Sequence, residues 1–156
     1  MQRPHLKETL KILGFSALKI PLIAFLTPQV LELSKQRCKV KIPLNYRSKN
    51  HLGCMYFGAL AVGADLSAGL LALQHVHLKN TQLLFKDFQA HFLKRAEGDV
   101  IFVCEEGNKI QQMVKTMKKE QKRVTSQLNA VALVPQKLGE EPVATFQLTL
   151  SLKDKN

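Results

Sequence analysis

Cysteine is scarce and unpaired by spacing. The chain has 3, Cys38, Cys54 and Cys104. An odd number with no CxxC among them argues against a disulfide framework and a zinc ribbon, and a reducing, cytoplasmic setting is the default it implies. Histidine offers no better metal site. His75 and His77 are two apart, which faces opposite sides of a helix, and no acid or Cys follows at ligand spacing. No metal is therefore expected. Acidic residues are also few, 12 against 23 Lys and Arg, leaving a formal net charge of +11. That excess implies an anionic partner: nucleic acid, anionic lipid or a phosphate-bearing small molecule. The shortage of aromatics narrows the choice. No aromatic ladder stands beside the basic residues and no nucleic-acid motif is present, so nucleic acid is not expected. Internal repeats and low-complexity tracts are missing too.

What is present suits one globular domain: 156 residues, 46% of them hydrophobic. The N-terminus is basic and apolar, but Lys19 and Pro21 interrupt it and no small-residue cleavage site follows. No signal peptide is expected. Residues 55–73 are long enough to span a bilayer. Asp65 would then sit near the middle, at a cost of about 2.5–3.5 kcal/mol on insertion scales, so no membrane span is expected.

Residues 50–75, NHLGCMYFGALAVGADLSAGLLALQH, dominate the chain. A polar loop ends at Gly53, and a Gly-rich apolar run broken only by Asp65 follows. Such a run reads as a helix buried on nearly every side. Upstream, residues 5–26 read as a helix kinked at Pro21, with an apolar stripe of Leu6, Leu10, Leu13 and Ala17 packed on the domain edge. A membrane-surface helix is the other reading, since Lys7, Lys11 and Lys19 accompany it. Residues 29–44 read as two short strands around a turn at 35–37, with Pro43 at an edge or a strand end. Downstream, strands are predicted from Thr81 to about Ala96, at 100–105, at 124–134 and through Phe146, Leu148, Leu150 and Leu152, with a short helix at 109–121. The fold class is α+β: an antiparallel sheet of about six strands curled around one long central helix, with an extra N-terminal helix.

A strand pair, a loop with Asn50 and Gly53, a small-residue helix carrying Asp65 and a long antiparallel sheet resemble the hotdog fold. The chain is similar to the PaaI-like acyl-CoA thioesterases, and closer still to a bacterial branch related to the C-terminal domain of YiiD. The resemblance covers about residues 29–153. It implies an N-terminal helical extension at 1–28, a hotdog domain at 29–153 and a tail at 154–156. Relatives of this kind carry Asn, then Gly, then His-Gly-Gly opening the helix, then an acid two turns in. Asn50, Gly53, Gly58 and Asp65 match that pattern, while Tyr56 stands at the His position and Phe57 at the first Gly of the pair. Where some relatives place a Ser or Thr on the next strand to hold the attacking water, this chain has Leu83, with Thr81 as a substitute two residues earlier.

The expected activity is hydrolysis of an acyl-CoA or similar thioester, with coenzyme A as part of the substrate and no separate cofactor. Asp65 would act as general base on water or as nucleophile. The backbone N–H groups of Phe57 and Gly58 would polarise the carbonyl as unsatisfied helix-start donors. Asn50 would orient the carbonyl or the water, or simply form a turn. Tyr56, His51 and Thr81 are the substrate-side candidates. The basic run at 115–123 either meets coenzyme A phosphates or is a solvated helix face. By helical rise Asp65 and Gly58 are ~10 Å apart, too far to serve one carbonyl, and the resemblance implies a homodimer or dimer of dimers with the pocket between subunits. The rival expectation is a protein that binds an acyl thioester or fatty acyl chain without turning it over.

Overall fold

The computed structural model describes residues 5–155. The outer ends of the predicted N-terminal extension (1–4) and tail (Asn156) lie outside them. Two helices open the chain, α1 (Leu6–Lys19) and α2 (Pro21–Phe25). Pro21 sits at the first turn of α2, where its missing N–H costs nothing. A hairpin follows, β1 (Gln29–Leu33) and β2 (Cys38–Ile42). The central helix is α3 (Phe57–Ala72). After it come β3 (Thr81–Phe92), β4 (Val100–Cys104), α4 (Gly107–Glu120), β5 (Val124–Leu133), the single turn α5 (Pro135–Leu138) and β6 (Pro142–Asp154).

All six strands form one antiparallel sheet in the order β1-β2-β4-β5-β6-β3. This is the α+β architecture the alternation predicts. Pro43 falls just past β2, an internal strand, so it ends the strand and does not mark an edge. β3 stops at Phe92, short of Ala96, because the N–H groups of Leu93 and Lys94 both turn to the Val143 carbonyl. Along β2, Cys38, Val40 and Ile42 are fully buried and Lys39 and Lys41 are not, the two-residue period of a half-buried sheet.

α3 packs across β2, β4 and β5. Gly63 makes that approach possible: a Cβ there would run into the Phe102 ring. Ala59, Leu60, Ala64, Leu66, Ser67, Ala68, Leu71 and Ala72 complete the buried side. The expectation of burial on nearly every side is corrected here. Phe57 and Asp65 are exposed, and Gly58, Ala61, Val62, Gly69 and Leu70 are half-buried. A single curved sheet covers one side of a helix, and the uncovered side is as apolar as the covered one, so no polar stripe advertises it.

The two sheet edges differ. β1 is capped by α1: the N–H of His5 donates to the Val30 carbonyl (2.7 Å), and the N–H of Val30 donates to Thr9 Oγ1 (3.0 Å). Among the described residues, β3 has β6 on one side only. α1 also corrects an expectation. Thr9 and Ser16 are its buried residues, while Leu6 and Leu10 of the predicted inward stripe face out. Thr9 goes in because the sheet edge needs a hydrogen-bond acceptor, which leucine cannot supply.

Candidate functional site

The start of α3 is set by the loop before it. Asn45, Ser48 and Asn50 fold residues 45–55 into consecutive turns. Ser48 is 1% exposed; its Oγ donates to the Pro43 carbonyl (2.6 Å), and its own carbonyl accepts the N–H of Tyr56 (2.7 Å). Asn50 Oδ1 accepts from the N–H groups of Leu52 (2.9 Å) and Cys54 (3.2 Å). Gly53 then turns the chain at φ 77°, a left-handed conformation that glycine adopts without strain. The Asn50 carbonyl oxygen is thus spent on the turn, which leaves only its side-chain N–H₂ for a ligand. Ser48 was not singled out from sequence, since a loop serine carries no distinguishing signal.

Tyr56 caps α3 in extended conformation, with no side chain bonded to the helix start. Among the described residues, none accepts a hydrogen bond from the N–H groups of Phe57, Gly58 or Ala59. These donors, with the positive end of the helix dipole behind them, form an open anion-attracting terminus. The rings of Tyr56 and Phe57 flank it. Their centroids are 4.7 Å apart, and Phe57 meets Phe92 at 6.3 Å in an edge-on contact. Gly58 lies directly under the Tyr56 ring.

Asp65 sits two turns along the same open face as Gly58, Val62 and Gly69. Among the described residues it has no ion pair and no side-chain hydrogen bond. Its side chain reaches solvent in the single chain, yet the protein crowded around its base pushes the carboxyl above the ordinary carboxylate range by desolvation. The contrast with Glu106 is informative. Burial also opposes ionisation there, but Lys109 Nζ (3.0 Å) and Asn129 (Nδ2 at 2.7 Å) outweigh it and hold that carboxyl low. Glu106 is a structural carboxylate; Asp65 has none of its partners.

The remaining candidates scatter. His51 is exposed on the loop. Thr81 is buried at the first position of β3, opposite Asp154. Because Phe57 meets Phe92 and Gly69 lies by Phe85, β3 runs back along α3. Thr81 and the helix start are therefore at opposite ends of that pair within one chain. Of the basic run at 115–123, Lys115, Lys118 and Lys119 lie on the outer side of α4, whose inner side buries Ile110, Met113, Val114 and Met117, and Lys122 and Arg123 follow the helix, exposed. Arg123 is tied down, donating to Ser151 Oγ (2.8 Å) and Gln82 Oε1 (2.7 Å). Two shallow surface hollows, by Arg95 and Leu138 and by Gln82 and Lys155, lie away from Asp65. Among the described residues, no three His, Cys, Asp or Glu side chains gather in reach of one cation. No described helix is long and apolar enough to cross a membrane.

Residues 11–152 match the family model of the domain of unknown function DUF4442. Solved structures show the same architecture. A Pseudomonas aeruginosa protein of unknown function, also called a "Probable Thioesterase", is 20% identical with a TM-score of 0.80, over 99% of this chain and 99% of that one. A thioesterase from Haemophilus influenzae is 10% identical with a TM-score of 0.70, over 94% and 90% of the two chains. A substituted thioesterase from Pseudomonas aeruginosa is 13% identical with a TM-score of 0.70, over 98% and 96%. The likeness establishes the fold, the hotdog arrangement of a sheet wrapped on one helix. No curated protein matches the chain by sequence.

Proposed function

The chain belongs to the DUF4442 family, and on that premise we propose that it hydrolyses acyl thioesters, with acyl-CoA as the substrate class. The observation that carries this reading is Asp65: a carboxylate with no described partner, on an open face that also carries an uncapped helix start. Once a second copy covers that face, an unmatched carboxylate is costly unless water or substrate answers it.

The chemistry needs only water and the thioester. The substrate carbonyl oxygen accepts from the Phe57 and Gly58 amides, which gain strength as negative charge develops on it. Asp65 takes a proton from water as the water oxygen bonds the carbonyl carbon, and the C–S bond then breaks. The carboxylic acid and the thiol leave, with the proton returned to sulfur. Attack by Asp65 itself, followed by hydrolysis of the anhydride, balances equally. The separation of ~10 Å along one helix supports a working unit of at least two copies, with Asp65 of one facing the helix start of the other. The unpaired edge of β3, with Leu84, Phe88 and Phe92 exposed along it, supports edge-to-edge pairing. Tyr56 and Phe57 would lie against the acyl chain. The test is thiol release from acyl-CoAs of graded length by the purified protein and by Asp65→Asn. Equal rates would remove Asp65 from the mechanism.

One observation favours a second reading, binding without turnover. The Tyr56 and Phe57 rings crowd the helix start over Gly58. Saturable acyl-CoA binding with no thiol released at any chain length would support it.

A further inference from the structure

The N-terminal helices present a surface that the proposed hydrolysis does not use. α1 is turned inside out: Thr9 and Ser16 point inward, while Leu6 (69% exposed), Leu10 (60%) and Leu18 (85%) point outward. Leu6, Leu10, Gly14 and Ala17 recur at helical spacing, so they share one face, and Leu18 lies beside it. The apolar surface continues through Ile20, Leu22 (58%) and Phe25 (51%) of the α1–α2 corner. Isolated exposed leucines need no explanation, but a run of this length does.

Cations outnumber acids on this surface. Lys7, Lys11 and Lys19 are exposed and have no ion pair with a described residue, and Glu8 is the single acid on α1 and α2, 4.0 Å from His5. Lys7 and Lys11 follow Leu6 and Leu10 by one residue each, so they border the leucine face. Arg47 extends the pattern from the loop. Its guanidinium stands 5.6 Å from the centre of the Phe25 ring and 5.3 Å from that of Tyr46, which is 72% exposed. Leucines framed by lysines, with an aromatic–arginine cluster at one end, match the headgroup boundary of an anionic bilayer. There apolar side chains enter the acyl region while long cationic ones reach phosphate.

A second copy fits less well. This surface lies over β1, at the opposite edge of the sheet from β3, so pairing through β3 leaves it uncovered. Two such faces brought together would set lysine against lysine.

We propose that the α1–α2 surface seats the protein on anionic phospholipid, lying in the headgroup plane without crossing the bilayer. The experiment is co-sedimentation of the full chain with phosphatidylcholine vesicles, with and without phosphatidylglycerol. The same is done for Leu10→Glu/Leu18→Glu and for Lys7→Gln/Lys11→Gln, and thermal melts check that each variant folds. The wild type is expected to sediment with the phosphatidylglycerol vesicles, less so as salt rises. The leucine variant should lose ~10-fold or more in partitioning, and the lysine variant should lose its preference for anionic lipid. No sedimentation of the wild type, or equal sedimentation of all three proteins, would overturn the proposal. A wild type indifferent to vesicles whose assembly shrinks on Leu10→Glu/Leu18→Glu would assign the face to a second copy. The proposal stands apart from hydrolysis: both variants should release thiol from soluble acyl-CoA at the wild-type rate, whichever way sedimentation falls.

Discussion

A carboxyl held above its ordinary range by desolvation alone leaves two signatures, and both belong to Asp65. Its folded-state pKa exceeds its unfolded one. Between the two values the folded chain binds more protons, so stability falls as pH rises through that window and is flat above it. Asp65→Asn removes the ionisation. The variant should melt above wild type at neutral pH, and the gap should close as pH drops below the unfolded carboxylate value of about 4; melting temperatures across a pH series check this. Catalysis should move the opposite way. With Asp65 as general base, thiol release should rise with pH through its elevated pKa, and Asp65→Asn should cost ~10²–10⁴-fold in kcat. A variant more stable and less active is what a strained functional carboxylate predicts, whereas a merely structural one would lose both. Residue-scale reasoning from the sequence found Asp65 because a lone charge in an apolar run is conspicuous. It missed Ser48, whose role is visible only once its carbonyl is seen to fix Tyr56.

Among elements, α3 depends on how closely it approaches the sheet. Gly63→Ala drives a methyl into the Phe102 ring, and overpacking of this kind costs about 1–3 kcal/mol. Urea denaturation should show a lowered midpoint with an unchanged slope. Gly139→Ala tests another kind of strain. There the space is open but φ is 58°, so any loss comes from the backbone alone. The strands were legible in the sequence because alternation of Val40 and Ile42 with Lys39 and Lys41, or along Phe146, Leu148, Leu150 and Leu152, has one physical reading. α1 was legible as a helix but not in its orientation. Its leucine stripe reads as inward by burial logic, and the competing demand, a hydrogen-bond partner for the Val30 N–H, lies 21 residues away in the chain. α3 was legible as a core helix, and spacing alone puts Gly58, Val62, Asp65 and Gly69 on one face with room beside the carboxylate; that the sheet leaves this face open was not legible, because such residues look the same whether they meet a sheet or a partner.

For the whole molecule, activity and assembly should be lost together. Leu84→Lys/Phe88→Lys places cations along the unpaired edge of β3, where a twofold partner would set like charges opposite each other. Analytical ultracentrifugation should show a smaller species than wild type. Thiol release should fall with it if Asp65 and the Phe57–Gly58 amides that serve one carbonyl come from different copies.

The unequal sheet edges also bear on how growth stops. A strand edge is a template, and a chain with two free ones has no reason to end at any particular number of copies. Here the backbone groups of Val30 that would recruit a neighbour at β1 are already answered by His5 and Thr9. If copies add through β3, that step consumes the remaining template on both participants at once and gives a closed isologous pair with no sticky end. On this account Thr9 is a terminator. Thr9→Val keeps the shape of the side chain and removes its acceptor, which leaves the Val30 N–H unanswered beneath α1, and a lowered melting temperature is the expected cost.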